Sequence, residues 1–148
     1  MNSLNRYADH VYCIFRLIIG LLFASHGGQK LLGFPPGGHG AGEGIMILGA
    51  WIELLGGLFI AFGFLTRIAA FIAAGEMAFA YFMVHAAGKA LDHAPSAVEQ
   101  FFPLLNKGEL AVVYCWCFLF FLFYGPGQWS IDAMIRRGKA TARTETVT

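Results

Sequence analysis

Three ionisable side chains stand inside long apolar runs: Arg16, Glu53 and Glu76. In hydrocarbon a lone carboxylate or guanidinium costs roughly 2.5–3.5 kcal/mol on insertion scales, so each needs an answer from the protein. An Arg16–Glu53 or Arg16–Glu76 ion pair is the natural way to offset that cost. One cation cannot neutralise two acids. The surplus predicts a proton held near the midplane, or a further cation. Such a set could do chemistry: Arg16 to stabilise an anionic oxygen, and Glu53 or Glu76 to exchange a proton. These three are the candidate catalytic residues. A second group of polar residues, His26, Gln29, Lys30, His85 and Glu109, falls near the ends of the apolar runs. His26, Lys30, His85 and Glu109 are the candidates for a polar path from the outer surface toward the midplane. Arg16 and Lys30 lie about 40° apart around an ideal helix. One helix face could therefore link the deep group to the shallow one.

The elements that must position these groups follow from composition. The chain has 148 residues, 57% hydrophobic and only 13% charged. That is about half the charge of an ordinary soluble domain. Net charge is +1, which gives no electrostatic case for nucleic acid. Four apolar runs, about 8–25, 45–65, 68–84 and 110–124, read as transmembrane helices. The expected fold is an all-α integral membrane protein, four helices packed as a bundle. Residues 1–137 would form that domain, and 138–148 a flexible cytoplasmic tail. Gly49, Glu53 and Gly57 are spaced four apart and would share one helix face. Glycine there lets another backbone approach. Residues 26–33 could be the fraying end of the first span or a turn. The Pro- and Gly-rich stretch 34–44 is a loop. Thr66 suits a helix N-cap, and Asn106 followed by Glu109 looks like a capping box.

Orientation follows from basic residues. Arg6, Arg67, Arg136, Arg137, Lys139 and Arg143 fall on the side of the termini, and Lys30, Lys89 and Lys107 on the other. Both termini are expected in the cytoplasm. Counting along the spans puts Arg16 and Glu76 about 12 Å, and Glu53 about 18 Å, from the inner edge.

Plain structural readings stand beside these. A buried Arg–Glu pair can be structural glue, Glu109 a helix cap, and His26 and His85 interfacial side chains. The three cysteines at 13, 115 and 117 read as small buried residues. No spacing supports a metal site, and no flavin or haem motif is evident.

In order along the chain stand Arg16-Leu17-Ile18-Ile19-Gly20, His26-Gly27-Gly28-Gln29-Lys30-Leu31 with Gly33-Phe34-Pro35, Glu53-Leu54-Leu55-Gly56-Gly57 and Thr66-Arg67-Ile68-Ala69-Ala70. They are followed by Asn106-Lys107-Gly108-Glu109-Leu110 and Gly125-Pro126-Gly127 with Trp129-Ser130-Ile131-Asp132. This ordered set resembles the DoxX family of small bacterial membrane proteins. The resemblance implies a four-helix membrane domain and a role as a membrane component of a redox or quinone-linked process. That role would involve a quinone, a redox partner protein and an accessory place beside an oxidoreductase. Two rival readings are a non-catalytic scaffold that docks a partner protein and a small transporter, the latter as a homo-oligomer.

Overall fold

The computed structural model describes residues 2–37, 40 and 42–145; side chains are described for 4–37, 40 and 42–140. Among the described residues all regular structure is helical. After a single turn at Asn2–Asn5 come α1 (Ala8–Leu32), α2 (Ile45–Phe62), α3 (Thr66–His85), α4 (Glu109–Tyr124) and α5 (Ile131–Glu145). A further turn, Ala97–Phe101, interrupts the connection from α3 to α4. α1, α2 and α3 have 25, 18 and 20 residues and are long and apolar enough to cross a membrane. α4 is equally apolar, but its 16 residues reach only about 24 Å. The outer surfaces of these helices carry large apolar side chains, with Phe71 65%, Trp116 68% and Phe123 77% exposed. Apolar surface on that scale fits a hydrocarbon solvent, not water.

α1 runs seven residues beyond the expected end of the first span. It passes straight through Gly27-Gly28 and stops at Gly33, which adopts φ 67° and caps the carbonyls of Gln29 and Gly28 together with Phe34. This is a glycine C-cap of Schellman type. Gly27 and Gly28 therefore do not turn the chain. Gly27 lies against the backbone of Ala50 and Leu54, and Gly20 and Gly57 lie against each other's helices, where an added Cβ would meet backbone closer than 3.0 Å. α1 and α2 thus touch backbone to backbone, and the contacts fix an antiparallel register: Gly20 beside Ala61, Ala24 beside Gly57, Gly27 beside Leu54.

Two helices carry a π-helical turn. In α2 it spans Ile52–Gly56 and holds Glu53; in α3 it spans Tyr81–His85. The wider turn in α2 shifts the phase of the residues around it. Gly57 consequently faces α1, whereas Gly49 faces Glu76 of α3. The expected single face through Gly49, Glu53 and Gly57 is split between two neighbours.

α3 packs along α4, and their shared core of Ala69, Ala70, Ala73, Ala74, Phe118 and Phe121 is sealed. α1 joins α4 through rings: Phe23 on Tyr114 and Phe118, and Tyr12 on Phe121.

The caps differ from expectation. Leu65, with φ 46°, precedes α3, and Thr66 is its first residue. The cap comes from Asp132, whose carboxylate accepts from the N–H groups of Leu65 and Thr66 and from the Thr66 hydroxyl. Partial burial pushes the Asp132 carboxyl up, but these hydrogen bonds outweigh it, so it titrates below its ordinary value. The capping box lies at Ser96 and Glu99, not at Asn106 and Glu109. The side-chain and backbone hydrogen bonds from Ser96, with a smaller contribution from His93, hold the exposed Glu99 carboxyl down at about 2. Asn106 is buried, and its side-chain oxygen accepts from the Gly108 N–H. Where a flexible tail is expected from residue 138, helix α5 continues to Glu145, through Ala, Arg and Lys, which are strong helix formers. The last three residues of that tail lie outside the described residues.

Three stability outcomes follow. Gly57→Leu should lower the thermal unfolding temperature in detergent, with an overpacking cost of about 1–3 kcal/mol. Gly75→Ala, at a helical glycine with nothing within 4 Å of an added Cβ, should match or exceed wild type, because alanine is favoured over glycine by roughly 0.5–1 kcal/mol. Asp132→Ala should cost about 1 kcal/mol at neutral pH, the usual worth of a cap. The folded carboxyl titrates below its ordinary 3.8. Its contribution is therefore complete above that pH and fades as the pH falls through the folded value. Unfolding curves for wild type and Asp132→Ala should converge in that acid range.

Candidate functional site

The register set by Gly20, Gly27 and Gly57 decides which charges meet. Arg16 lies level with Gly63, at the α2 end where both termini gather. Glu53 lies level with Gly27, about 16 Å further along. Arg16 therefore pairs with neither acid, contrary to the sequence expectation. Its guanidinium is 2% exposed and donates from Nη2 to the carbonyls of Trp129 at 2.7 Å and Ala61 at 3.3 Å. A side chain at Gly63 would collide with it. Arg16 Nε and Nη1 have no acceptor among the described residues. Here Arg16 ties the α2 end to the segment that follows α4.

The further cation that the charge sum calls for is Lys30. Its Nζ lies 2.6 Å from Glu53 Oε1 and joins α1 to the π-helical turn of α2. The pair is asymmetric: the Lys30 side chain is 39% exposed and that of Glu53 only 4%. Glu53 Oε2 and Glu76 Oε2 are buried without a partner among the described residues. Glu76 reaches from α3 toward Gly49, one turn of α2 from Glu53. Glycine at 49 makes room for it.

Both acids line a cavity of about 460 Å³ between α1, α2, α3 and α4. Its walls are mainly apolar, with Phe23, Ile52, Met77 and Tyr114 on the inside. Its polar groups are His26, Lys30, Glu53, Glu76, His85 and Lys107. Ile45, Leu48, Ile72 and Phe79 line it from α2 and α3 and are also exposed on the outer surface. The cavity therefore opens sideways between α2 and α3, onto the apolar face. His26 meets Tyr114 edge to face. His85 Nδ1 is 3.1 Å from the Asn106 carbonyl oxygen. A carbonyl only accepts, so Nδ1 bears hydrogen; in the neutral ring Nε2 is then an acceptor.

Of the shallow candidates, His26, Lys30 and His85 come together at this cavity. Glu109 does not: it is exposed in the first turn of α4 and outside the lining. Gln29 turns away and donates to the carbonyls of Pro35 and Pro36. The polar face expected along α1 is broken as well, since Arg16 and Lys30 serve opposite ends of the helix with ring-packed Phe23 between them. Lys107 and Tyr114 are lining residues that spacing did not single out, whereas Gly49, also in the lining, was placed on the Glu53 face. The unbalanced charge was the available signal for Lys30. Nothing comparable marks Tyr114 within a helix of aromatic residues.

Comparison with known proteins agrees with this picture. The DoxX family model matches residues 11–86, a stretch that contains Arg16, Lys30, Glu53, Glu76 and His85. An uncharacterized protein of Haemophilus influenzae is 39% identical over 136 residues, which cover 89% of this chain and 96% of the relative. An uncharacterized membrane protein of Mycobacterium tuberculosis is 31% identical over 141 residues, covering 89% and 84%. No solved structure matches. The family match over half of the chain and a relative aligned along nearly its full length lead to one conclusion: the chain belongs to the DoxX family of membrane proteins.

Proposed function

We propose that this chain is a four-span protein of the bacterial inner membrane, with both termini cytoplasmic, and that it binds a lipid-soluble small molecule of quinone type for a redox-linked process. One observation supports this most: a largely apolar cavity, open toward the apolar surface, in which the buried carboxylate oxygens Glu53 Oε2 and Glu76 Oε2 lack partners. Its volume falls within the roughly 300–1,000 Å³ of small-molecule sites, and apolar walls with a few convergent polar groups are typical of them. α4 serves as the fourth span, its short length made up by tilt and by local thinning of the bilayer.

In this reading the ligand enters between α2 and α3. Lys30 has three donors and spends one on Glu53, so it can donate to a carbonyl oxygen of the head group. Glu76 or Glu53 takes up or releases a proton at its unpartnered oxygen, and His85 Nε2 can accept one. A redox partner protein supplies or removes electrons. Arg16 has no part in this, being at the other end of α1.

A second reading has one observation in its favour. The direct Lys30–Glu53 contact joins two helices and could serve only to fix them, as in a scaffold. Stability and binding measured together separate the two. Lys30→Met leaves a buried carboxylate uncompensated and should cost about 3–5 kcal/mol. Glu53→Gln should cost less, because the partly exposed Lys30 head can turn to water. Lys30→Met combined with Glu53→Gln should recover most of the loss, read from thermal unfolding in detergent. In equilibrium dialysis against decylubiquinone, Glu76→Gln should keep the fold and weaken binding about tenfold or more, the worth of a hydrogen bond to a charged group. Equal affinity in wild type, Glu53→Gln and Glu76→Gln would leave only the scaffold.

A further inference from the structure

A second cavity lies at the opposite end of the molecule, where the termini gather. It measures about 350 Å³ and is lined by Asp9, Arg67, Tyr124, Pro126, Gly127, Gln128, Ala133, Arg136 and Arg137. Three guanidiniums face one carboxylate there. Asp9 is already engaged, accepting from the Tyr124 hydroxyl at 2.9 Å and from Gln128 Nε2 at 2.5 Å. Arg67 is held in place: its Nη1 donates to the Leu122 carbonyl at 2.6 Å, and its other terminal nitrogen lies over Gly125, whose φ of 95° leaves the space open. Arg136 reaches in from α5. The cleft is thus a preformed cationic cup with contributions from α1, α3, the α4–α5 connection and α5.

Its surroundings indicate what fills it. Arg67 opens α3 directly after the α2–α3 turn, so the cup sits at the edge of the apolar zone. Beside Arg67 on α3, Ile68 and Phe71 are exposed, as are Phe120, one turn before Tyr124 on α4, and Trp129 just before α5. Basic residues beside exposed aliphatic groups and a tryptophan are the makeup of a segment lying in the membrane–water interface. A soluble anion would explain the arginines but not the apolar rim. An anionic phospholipid explains both, since its phosphate is attached to acyl chains that the neighbouring helix faces can receive. We propose that the cleft between Arg67 and Arg136 binds the headgroup phosphate of an anionic phospholipid, its acyl chains lying along the exposed apolar faces of α3 and α4.

The planar guanidinium forks favour a phosphate through paired N–H donors. The interaction lies at an exposed edge, so salt should weaken it. This site is independent of the cavity between the long helices, and its failure would not touch the quinone reading.

The test uses the full chain, delipidated in a neutral detergent and titrated with phosphatidylglycerol, phosphatidylcholine or inorganic phosphate, with native mass spectrometry as readout. Phosphatidylglycerol should bind saturably and more tightly than phosphatidylcholine, and less tightly as salt rises. Arg136→Gln should weaken it about fivefold and Arg67→Gln with Arg136→Gln about thirtyfold, taking the usual contribution of each basic residue at an anionic surface. Lys139→Gln, outside the cleft, should leave the saturable site unchanged. Arg67→Gln removes a hydrogen bond to the α4 end, so Arg136→Gln alone decides the matter if the double variant unfolds. Equal binding of the two lipids, or unchanged phosphatidylglycerol affinity in folded Arg136→Gln, would overturn the proposal. Inorganic phosphate binding as tightly as phosphatidylglycerol would overturn the lipid assignment in favour of a free anion.

Discussion

Glu53 sits where a lone carboxylate would cost several kcal/mol, and Lys30 answers it at 2.6 Å. That contact is reachable only because α1 continues past Gly27 and Gly28 at full helical pitch. It continues because the two helices meet backbone to backbone there. Each of Gly20, Gly27 and Gly57 stands where a Cβ would meet the neighbouring backbone. Close approach, register and charge compensation are therefore one constraint. Widen the α1–α2 contact, and Lys30 no longer reaches Glu53 in the same geometry. The π-helical turn at Ile52–Gly56 belongs to the same arrangement: it sets Glu53 toward Lys30 while leaving Gly49 to accommodate Glu76.

The same register separates the polar groups into two ends. At one, Arg16 donates to Ala61 and Trp129, Asp132 caps α3, and Arg67 holds the end of α4. Apart from the Thr66 hydroxyl on Asp132, these contacts run between a side chain and backbone, and they tie the segment after α4 to the helix ends it passes. At the other end the contacts run between side chains across a cavity. Phe23, Tyr114, Phe118 and Phe121 pack between the two ends. α1 is thus a strut with a separate task at each end.

Much of this was legible in the residues. The apolar runs located α2, α3 and α4 to within a few residues and the start of α1, though not its end, and the lone charges in them turned out to face inward. The arithmetic of one cation against two acids required a further cation, and the structure supplies it. Pairing failed for a specific reason. Depth was counted from the ends of the spans, but α1 begins about three turns beyond the level at which α2 ends, and helix–helix register cannot be read from one helix at a time. Treating residues 26–33 as a fraying end hid Lys30, because a glycine pair looks alike whether it breaks a helix or lets another pass close by. Asp132 as the cap of α3 depends on a contact across 66 residues that no local pattern carries.

Glu76 is where these lines meet. Lys30 satisfies the charge demand of Glu53, so the surplus acid of the sequence is now Glu76, with Oε2 unpartnered and the cavity before it. An anionic occupant would face two carboxylates across a low-dielectric gap and be repelled. A cation would compete with Lys30 and would have to shed its hydration beside Ile45, Leu48, Ile72 and Phe79 to enter from the side. A neutral, largely apolar molecule with oxygens at its ends meets neither obstacle. Its oxygen can accept from Lys30, and a proton shared with Glu76 would supply the partner that the carboxylate lacks. The charge count, the lateral opening and the apolar walls are the three separate physical arguments behind the occupant we propose.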